Sequence, residues 1–273
     1  MEISSSIYSV ARLGFALYPL ADRLMELLKQ RQVLHADETP VKQLDPGAGK
    51  TKRAYLWSYR SNDLDTGPPI VVFDYQTSRS GQHARDLLQG WQGSLMVDDY
   101  AGYKKLFAHD AIHVVTELGC WAHARRKFFD LQVTGAHPMA EEALRRIGQL
   151  YAIEKEASAM DSASRKQLRQ ENSLPILADM YDWLIRLRTS TANNSGLARS
   201  IDYTLNRWAS LIRYEQTGNL PIDNNRSRMR FVRLPSARRT GCSQGVNVPV
   251  NGLRQFKVSL PRQNSMASNR LHG

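Results

Sequence analysis

The sequence predicts an α/β protein: a mixed β-sheet with helices on both faces and a helical insertion. Three observations carry that prediction. Segments of period two and segments of helical period alternate through the first half of the chain. Turn chemistry links the early strands, whereas longer helical links join the later ones. From Met139 to Tyr214 only the helical period remains.

Tyr8–Gln30 sets Leu13, Leu17, Leu20, Leu24 and Leu27 at three- and four-residue spacing, which reads as an amphipathic helix, with Pro19 predicting a break or kink. Val33–Leu44, Arg53–Arg60 and Pro69–Tyr75 are short and rich in Val, Tyr, Trp and Thr. They are parted by Asp45-Pro46-Gly47 and by the Asn62–Pro68 loop, and read as an antiparallel meander. Gly81–Gly90 is helical, with Ala84, Leu87 and Leu88 on one face. Ser94–Val97 is a short strand running into Asp98-Asp99, Ile112–Thr116 a further strand, and Cys120–Leu131 a further helix. Hairpin-linked strands followed by crossover units is the element order of an RNase H-like fold. The apolar positions Leu144, Ile147, Tyr151, then Leu177, Met180, Leu184, Leu187, then Ile201, Leu205, Trp208, Leu211 predict three or four helices packed beside that sheet. Trp57, Trp183 and Trp208 are assigned to the core. The chain therefore divides into a linker helix (1–30), the sheet core (31–135), the helical insertion (136–215), the start of a final core helix region (216–226) and a tail (227–273).

Composition bounds the function. At 273 residues, 42% hydrophobic and 23% charged, the chain is ordinary globular stock with ample length for a core. No run of eighteen apolar residues occurs, so no membrane partner is expected, and the order of a signal peptide is missing. Two cysteines, Cys120 and Cys242, cannot make a disulfide framework, and a cytoplasmic setting is expected. The net charge of +11 is unevenly placed. From Ser227 to Gly273 there are nine Lys/Arg and no Asp or Glu, which leaves 28 of the 37 basic residues to set against all 26 acids. Bulk charge does not announce what the body does.

Two aspartates lie where a mixed sheet concentrates chemistry. Asp37 stands in His35-Ala36-Asp37-Glu38-Thr39-Pro40 on the first strand, and Asp98 ends the fourth. In an RNase H-like sheet those strands are neighbours, so the carboxylates can converge. Oxygen donors of this kind suit Mg²⁺, which serves phosphoryl transfer by sharpening the attacking oxygen and stabilising the leaving one. Spacing alone leaves a second role open, that of solvated strand-end or turn residues. Glu38 and Asp99 adjoin the acids and should point to the other face of an extended strand.

The stretches LHADETPV, GKTKRAYLW, MVDDYAGY, CWAHARRKFFDL, LYAIE, YTLNRW and IDNNR stand in order from about Glu2 to Arg226. In them the chain resembles the transposases of the insertion-sequence-66 family, bacterial DDE enzymes. The resemblance implies an RNase H-like core that cleaves and joins DNA phosphodiesters with Mg²⁺ (or Mn²⁺), acting on transposon ends and target DNA, with self-association possible in principle. By motif, Asp37 is the first metal-binding acid and Asp98 the second, while Asp99 stands where the family usually has glycine. The family's N-terminal helix-turn-helix, coiled-coil and zinc-binding regions have no counterpart here, so the chain is expected to start late. Cys120 and His123 match a Cys-x-x-His pair found after the second acid in many DDE enzymes. Two ligands fall short of a zinc site, and packing with hydrogen bonding is the expected role. Arg125, Arg126 and Lys127 follow on the same helix and either meet DNA phosphates or form its wet face.

The resemblance breaks after Arg226. The family's third acid is a glutamate two residues past the run matched by Asn224-Asn225-Arg226, and here that position holds Arg228. Natural divergence or a changed reading frame could both do this, and the second leaves a trace. New codons built from the third base of one residue and the first two of the next are largely fixed by the sequence. Met229-Arg230 permits GCG (alanine), Thr240-Gly241 permits TGG (tryptophan) and Cys242-Ser243 permits TTC (phenylalanine). Carried through from Arg226, permitted codons spell V-E-N-A-I-R-P, then L-G-K-K-N-W-L-F-A-G-S-E-R-A-G-Q-R-A-A-A-I-Q-S-L, the family's C-terminal pattern with its glutamate second. We read this as one base lost, or two gained, around the Arg226–Ser227 codons. The tail is then out-of-frame translation, expected to be disordered, and the chain a defective transposase copy. The alternatives are a non-catalytic DNA-binding or regulatory fragment and a remnant without function.

Overall fold

Strand pairing sets the architecture. In the computed structural model, which describes residues 16–45, 50–107, 115–133, 135, 137–224 and the backbone of 255–258, β1 (Val33–Asp45) and β2 (Lys50–Ser61) form a long antiparallel hairpin. β3 (Val71–Gln76) pairs antiparallel with β2. The chain then crosses back: β4 (Gly93–Val97) lies parallel to β1, and β5 (Val115–Gly119) parallel to β4. On the far edge β6 (Gln255–Val258) runs parallel to β3, so the mixed sheet has the order β5-β4-β1-β2-β3-β6. The fifth strand runs three residues past Thr116, because its register with Gly93–Val97 carries it on to Gly119. Residues 112–114 lie outside the described residues, as do Arg228 and the rest of the tail beyond 224 apart from the four residues of β6.

Alternation along the strands divides the core in two. One face carries Leu34, Ala36, Trp57, Tyr59, Leu95 and Val97, covered by α1 (Tyr18–Lys29) and α2 (Gln82–Leu87). Pro19 falls in the first turn of α1, where its missing N–H has no intrahelical acceptor to lose, so it starts the helix instead of kinking it. α2 is shorter than Gly81–Gly90 because the chain turns out of it, with Gly90 at φ +76°. The other face carries Val33, Met96, Leu118 and Cys120, covered by α3 (Trp121–Val133) and by the helices that follow.

Those helices are α4 (Pro138–Glu156), α5 (Ser162–Leu168), α6 (Leu174–Thr189), α7 (Gly196–Asn206) and α8 (Trp208–Leu211). Asp161 caps α5 and Ser195 caps α7 through backbone amides of the first turn. A π turn, Arg169–Ser173, joins α5 to α6 just ahead of Pro175, whose missing N–H breaks the regular ladder there. Arg169, fully buried, ties this layer together: it donates to both Glu154 oxygens (2.7 and 2.6 Å) and to the Tyr214 and Thr217 carbonyls (2.6 Å each). Trp57 is fully buried, while Trp183 and Trp208 pack half-buried against the insertion-side core. Among the described residues no helix is long and apolar enough to cross a membrane.

Candidate active site

A parallel register fixes where the two candidate acids stand. Val33, Leu34 and His35 of β1 pair with Ser94, Leu95 and Met96 of β4. Two residues farther along come Asp37, within β1, and Asp98, one residue past the end of β4, so both lie toward the same end of two neighbouring strands, which run ~4.8 Å apart. Asp37 continues the alternation of Val33 and His35, which puts it on the insertion-side face, while Asp98 follows directly on the last residue of β4. Asp37 is exposed and Asp98 half-buried, with its Oδ1 accepting the Tyr100 amide at 2.9 Å.

Glu38, one residue on, faces the opposite core as strand alternation requires, and is nearly fully buried. Its carboxylate accepts from Arg79 (Nε 3.0 Å, Nη2 2.5 Å) and from the Tyr103 hydroxyl (2.8 Å). Burial pushes this carboxyl up to about 7; the Arg79 hydrogen bonds pull it back, the charge of Asp98 adds to the rise, and the Tyr103 bond opposes it. Asp99 behaves differently from the sequence expectation. β4 ends at Val97, so strand alternation no longer governs it, and it pairs with Arg207 (3.0 Å), which also reaches Glu117 of β5 at 2.8 Å.

Residues 222–224, the start of the IDNNR run, meet β1 and the start of α3. The Trp121 amide donates to the Ile222 carbonyl (3.2 Å), the Asn224 amide to the Cys120 sulfur (3.3 Å), and His35 Nδ1 to Asn224 Oδ1 (2.8 Å). Tyr151 of α4 donates to Asp223 Oδ2 at 2.5 Å. His35 is pushed down to about 3 by burial and by the nearby Arg60 guanidinium, so it is neutral near pH 7. Behind it lies a polar cavity of about 410 Å³, lined by His35, Arg60, Asn62, Asp63, Tyr151 and Asp223 among others.

The Cys-x-x-His pair splits by role. Cys120 is buried at the start of α3 and its thiol is pushed up to about 11 by burial, with the Asn224, His123 and Ala122 amides opposing. A thiol held protonated is a poor metal ligand. His123 is half-buried beside it. Arg125, Arg126 and Lys127 are exposed on α3, with Arg125 5.8 Å from the Phe129 ring and Lys127 5.2 Å from that of Tyr203. Among the described residues no group of three or more His, Cys, Asp or Glu is arranged to hold a metal ion. Reasoning from sequence missed His35, Tyr103, Tyr151 and Arg207 as site-building residues. The motif strings LHADETPV, MVDDYAGY, LYAIE and YTLNRW contain all four, and that was the signal available.

Comparison with known proteins gives the family. The family model described as "Transposase IS66 family" matches residues 4–235, and the chain belongs to that family. The match runs past Arg226 and stops within the acid-free tail. Similar curated proteins include the uncharacterized protein y4qI of Sinorhizobium fredii (strain NBRC 101917 / NGR234), 35% identical over 234 residues, covering 82% of this chain and 43% of that protein. The uncharacterized protein y4jD of the same organism is 33% identical over 220 residues, covering 78% of this chain and 43% of its own length. The chain thus spans about two-fifths of the length of these relatives.

Proposed function

We propose that this chain is the RNase H-like core of a DDE-type transposase, built for metal-dependent cleavage and joining of DNA phosphodiesters, and that as written it is catalytically defective. The observation that supports the reading is the parallel β1–β4 register, whose last pair, His35 with Met96, stands two residues before Asp37 and Asp98 on neighbouring segments. The strand order β5-β4-β1-β2-β3, with β1 and β2 antiparallel, supports the fold assignment. Two aspartates are the hard oxygen donors that Mg²⁺ or Mn²⁺ takes, and Asp37 and Asp98 would hold it. Such an ion, when bound, activates the attacking oxygen and steadies the leaving one at phosphorus. The chain's own residues do the rest. Neutral His35 packs beneath the acids without adding charge, and Asn224 anchors the segment that leads to the third-acid position. Exposed Arg125, Arg126 and Lys127 offer contacts to DNA phosphates.

The defect follows from Arg228, which stands where the family's glutamate is expected. A guanidinium has no acceptor lone pair and repels a cation. The purified full chain, assayed for Mn²⁺- or Mg²⁺-dependent strand transfer on transposon-end DNA, is expected to show no more than about a hundredth of an intact relative's turnover. Restoring the reading frame after Arg226 should recover it. Turnover matching the intact relative without repair refutes the defect, whereas salt-sensitive binding to transposon ends without cleavage is the outcome the exposed basic residues of α3 favour.

A further inference from the structure

Glu38 adjoins Asp37 in sequence, but its side chain is held by Arg79, between β3 and α2, and by Tyr103, in the turn that follows Asp98. Its two oxygens are divided between them: Oε1 takes Arg79 and Oε2 takes the Tyr103 hydroxyl. Tyr103 belongs to the 3-10 turn Ala101–Leu106 that follows Asp98, and is itself buried. Arg79 reaches the same turn by a second route. Its guanidinium lies 3.9 Å over the Tyr100 ring, and the Tyr100 hydroxyl donates to the Arg79 carbonyl. The Tyr100 amide in turn donates to Asp98 Oδ1.

Packing reinforces the polar links. Tyr100 and Tyr103 meet edge-on at 5.8 Å, and Trp57 of β2 meets both, at 6.3 and 5.7 Å. Backbone meets backbone at Gly81 and Gly102: a Cβ on Gly81 would lie 2.0 Å from the Gly102 carbonyl oxygen, and one on Gly102 2.2 Å from the Tyr100 ring. The turn after Asp98 therefore has few ways to move while Glu38 holds it.

We propose that Glu38 is a positioning residue for Asp98: acting through Tyr103 and Arg79, it locks the turn whose Tyr100 amide orients the second acid. The inference rests on the reading of Asp37 and Asp98 as a metal-binding pair, and it assigns to their neighbour no ligand role. A side chain on the opposite face of β1 thereby sets the geometry of a carboxylate just past the end of β4.

The test uses the full chain carrying Glu38→Gln, Tyr103→Phe or Tyr100→Phe, read by residue-resolved hydrogen exchange and by Mn²⁺ binding. Exchange of the Tyr100 amide should rise at least about tenfold in Glu38→Gln and Tyr103→Phe, with amides of α4 unchanged. Mn²⁺ affinity should fall about tenfold in Tyr103→Phe, although that ring lies on the far side of the sheet from Asp37. Tyr100 exchange that stays at the wild-type rate, or that rises only as all amides rise, overturns the proposal. So does Mn²⁺ binding that Asp98→Asn abolishes and Tyr103→Phe leaves untouched. Failure of the underlying reading looks different: Mn²⁺ binding that is absent, or indifferent to Asp37→Asn and Asp98→Asn, removes the metal pair, while the exchange arm still decides what Glu38 holds. Should Glu38→Gln not fold, the two tyrosine variants each delete a single oxygen and carry the same measurement.

Discussion

Two segments flank the acid pair, the turn 98–106 and the stretch 220–224, and they are held by opposite means. The first is gripped from the β2–β3 side by an aromatic cluster and one carboxylate, within the smaller of the two cores. The second is gripped partly from the insertion, by Tyr151 on Asp223 and upstream by Arg169 on the Tyr214 and Thr217 carbonyls, and partly from the sheet core, by Cys120 and His35 on Asn224. Each side of the site thus has its own support, and damage to one should spare the other.

The largest expected break is Arg169→Met. Removing a fully buried guanidinium leaves the Glu154 carboxylate and two carbonyls without their donor, at a cost of about 3–5 kcal/mol. Thermal unfolding should drop by roughly 10 °C. A fall of a degree or two would show that Arg169 is dispensable. Tyr151→Phe is smaller, about 1–2 kcal/mol for the lost bond to Asp223. Here hydrogen exchange sharpens the contrast: the Asn224 amide should exchange faster while the Tyr100 amide does not change, and the reverse pattern would erase the distinction between the two supports.

The gentlest probe is the thiol of Cys120. Burial raises it to about 11 from an ordinary value near 9, so the folded state keeps its proton where the unfolded chain loses it. The stabilisation is complete below the unfolded value and fades as pH climbs from about 9 through about 11. Chemical denaturation across that range should show stability falling with pH, and Cys120→Ala should flatten the slope. Peptide-resolved alkylation by iodoacetamide at pH 8 should leave native Cys120 unmodified for hours; rapid labelling would contradict its burial.

Much of the architecture was legible because local pattern and global pairing agree. The meander, the crossover helices and the long helical layer follow from apolar periodicity, and the register that sets Asp37 and Asp98 toward one end needs only that β1 and β4 be neighbours. The expected end of β5 at Thr116 fell three residues short because Ile112–Thr116 is more apolar than Glu117–Gly119. Glu117 is acceptable on that edge strand because Arg207 pairs with it. The supports of the site were illegible for a related reason. Tyr103 finds Glu38 across 65 residues, Tyr151 finds Asp223 across 72 and Arg207 finds Asp99 across 108. No local period encodes such separations, so the motif strings marked these residues as members without revealing whom they meet. Asp99 shows the limit of the alternation rule, which lapses with the strand that generates it.

The contact of Gly81 with Gly102 leaves two places in the fold open only to the smallest residue. This chain keeps hydrogen at both places and a filled interior around them. A side chain at Gly81 would have to push two backbone segments apart, and one at Gly102 would have to displace the Tyr100 ring just past Asp98, so these two positions tolerate less change than their lack of chemistry suggests.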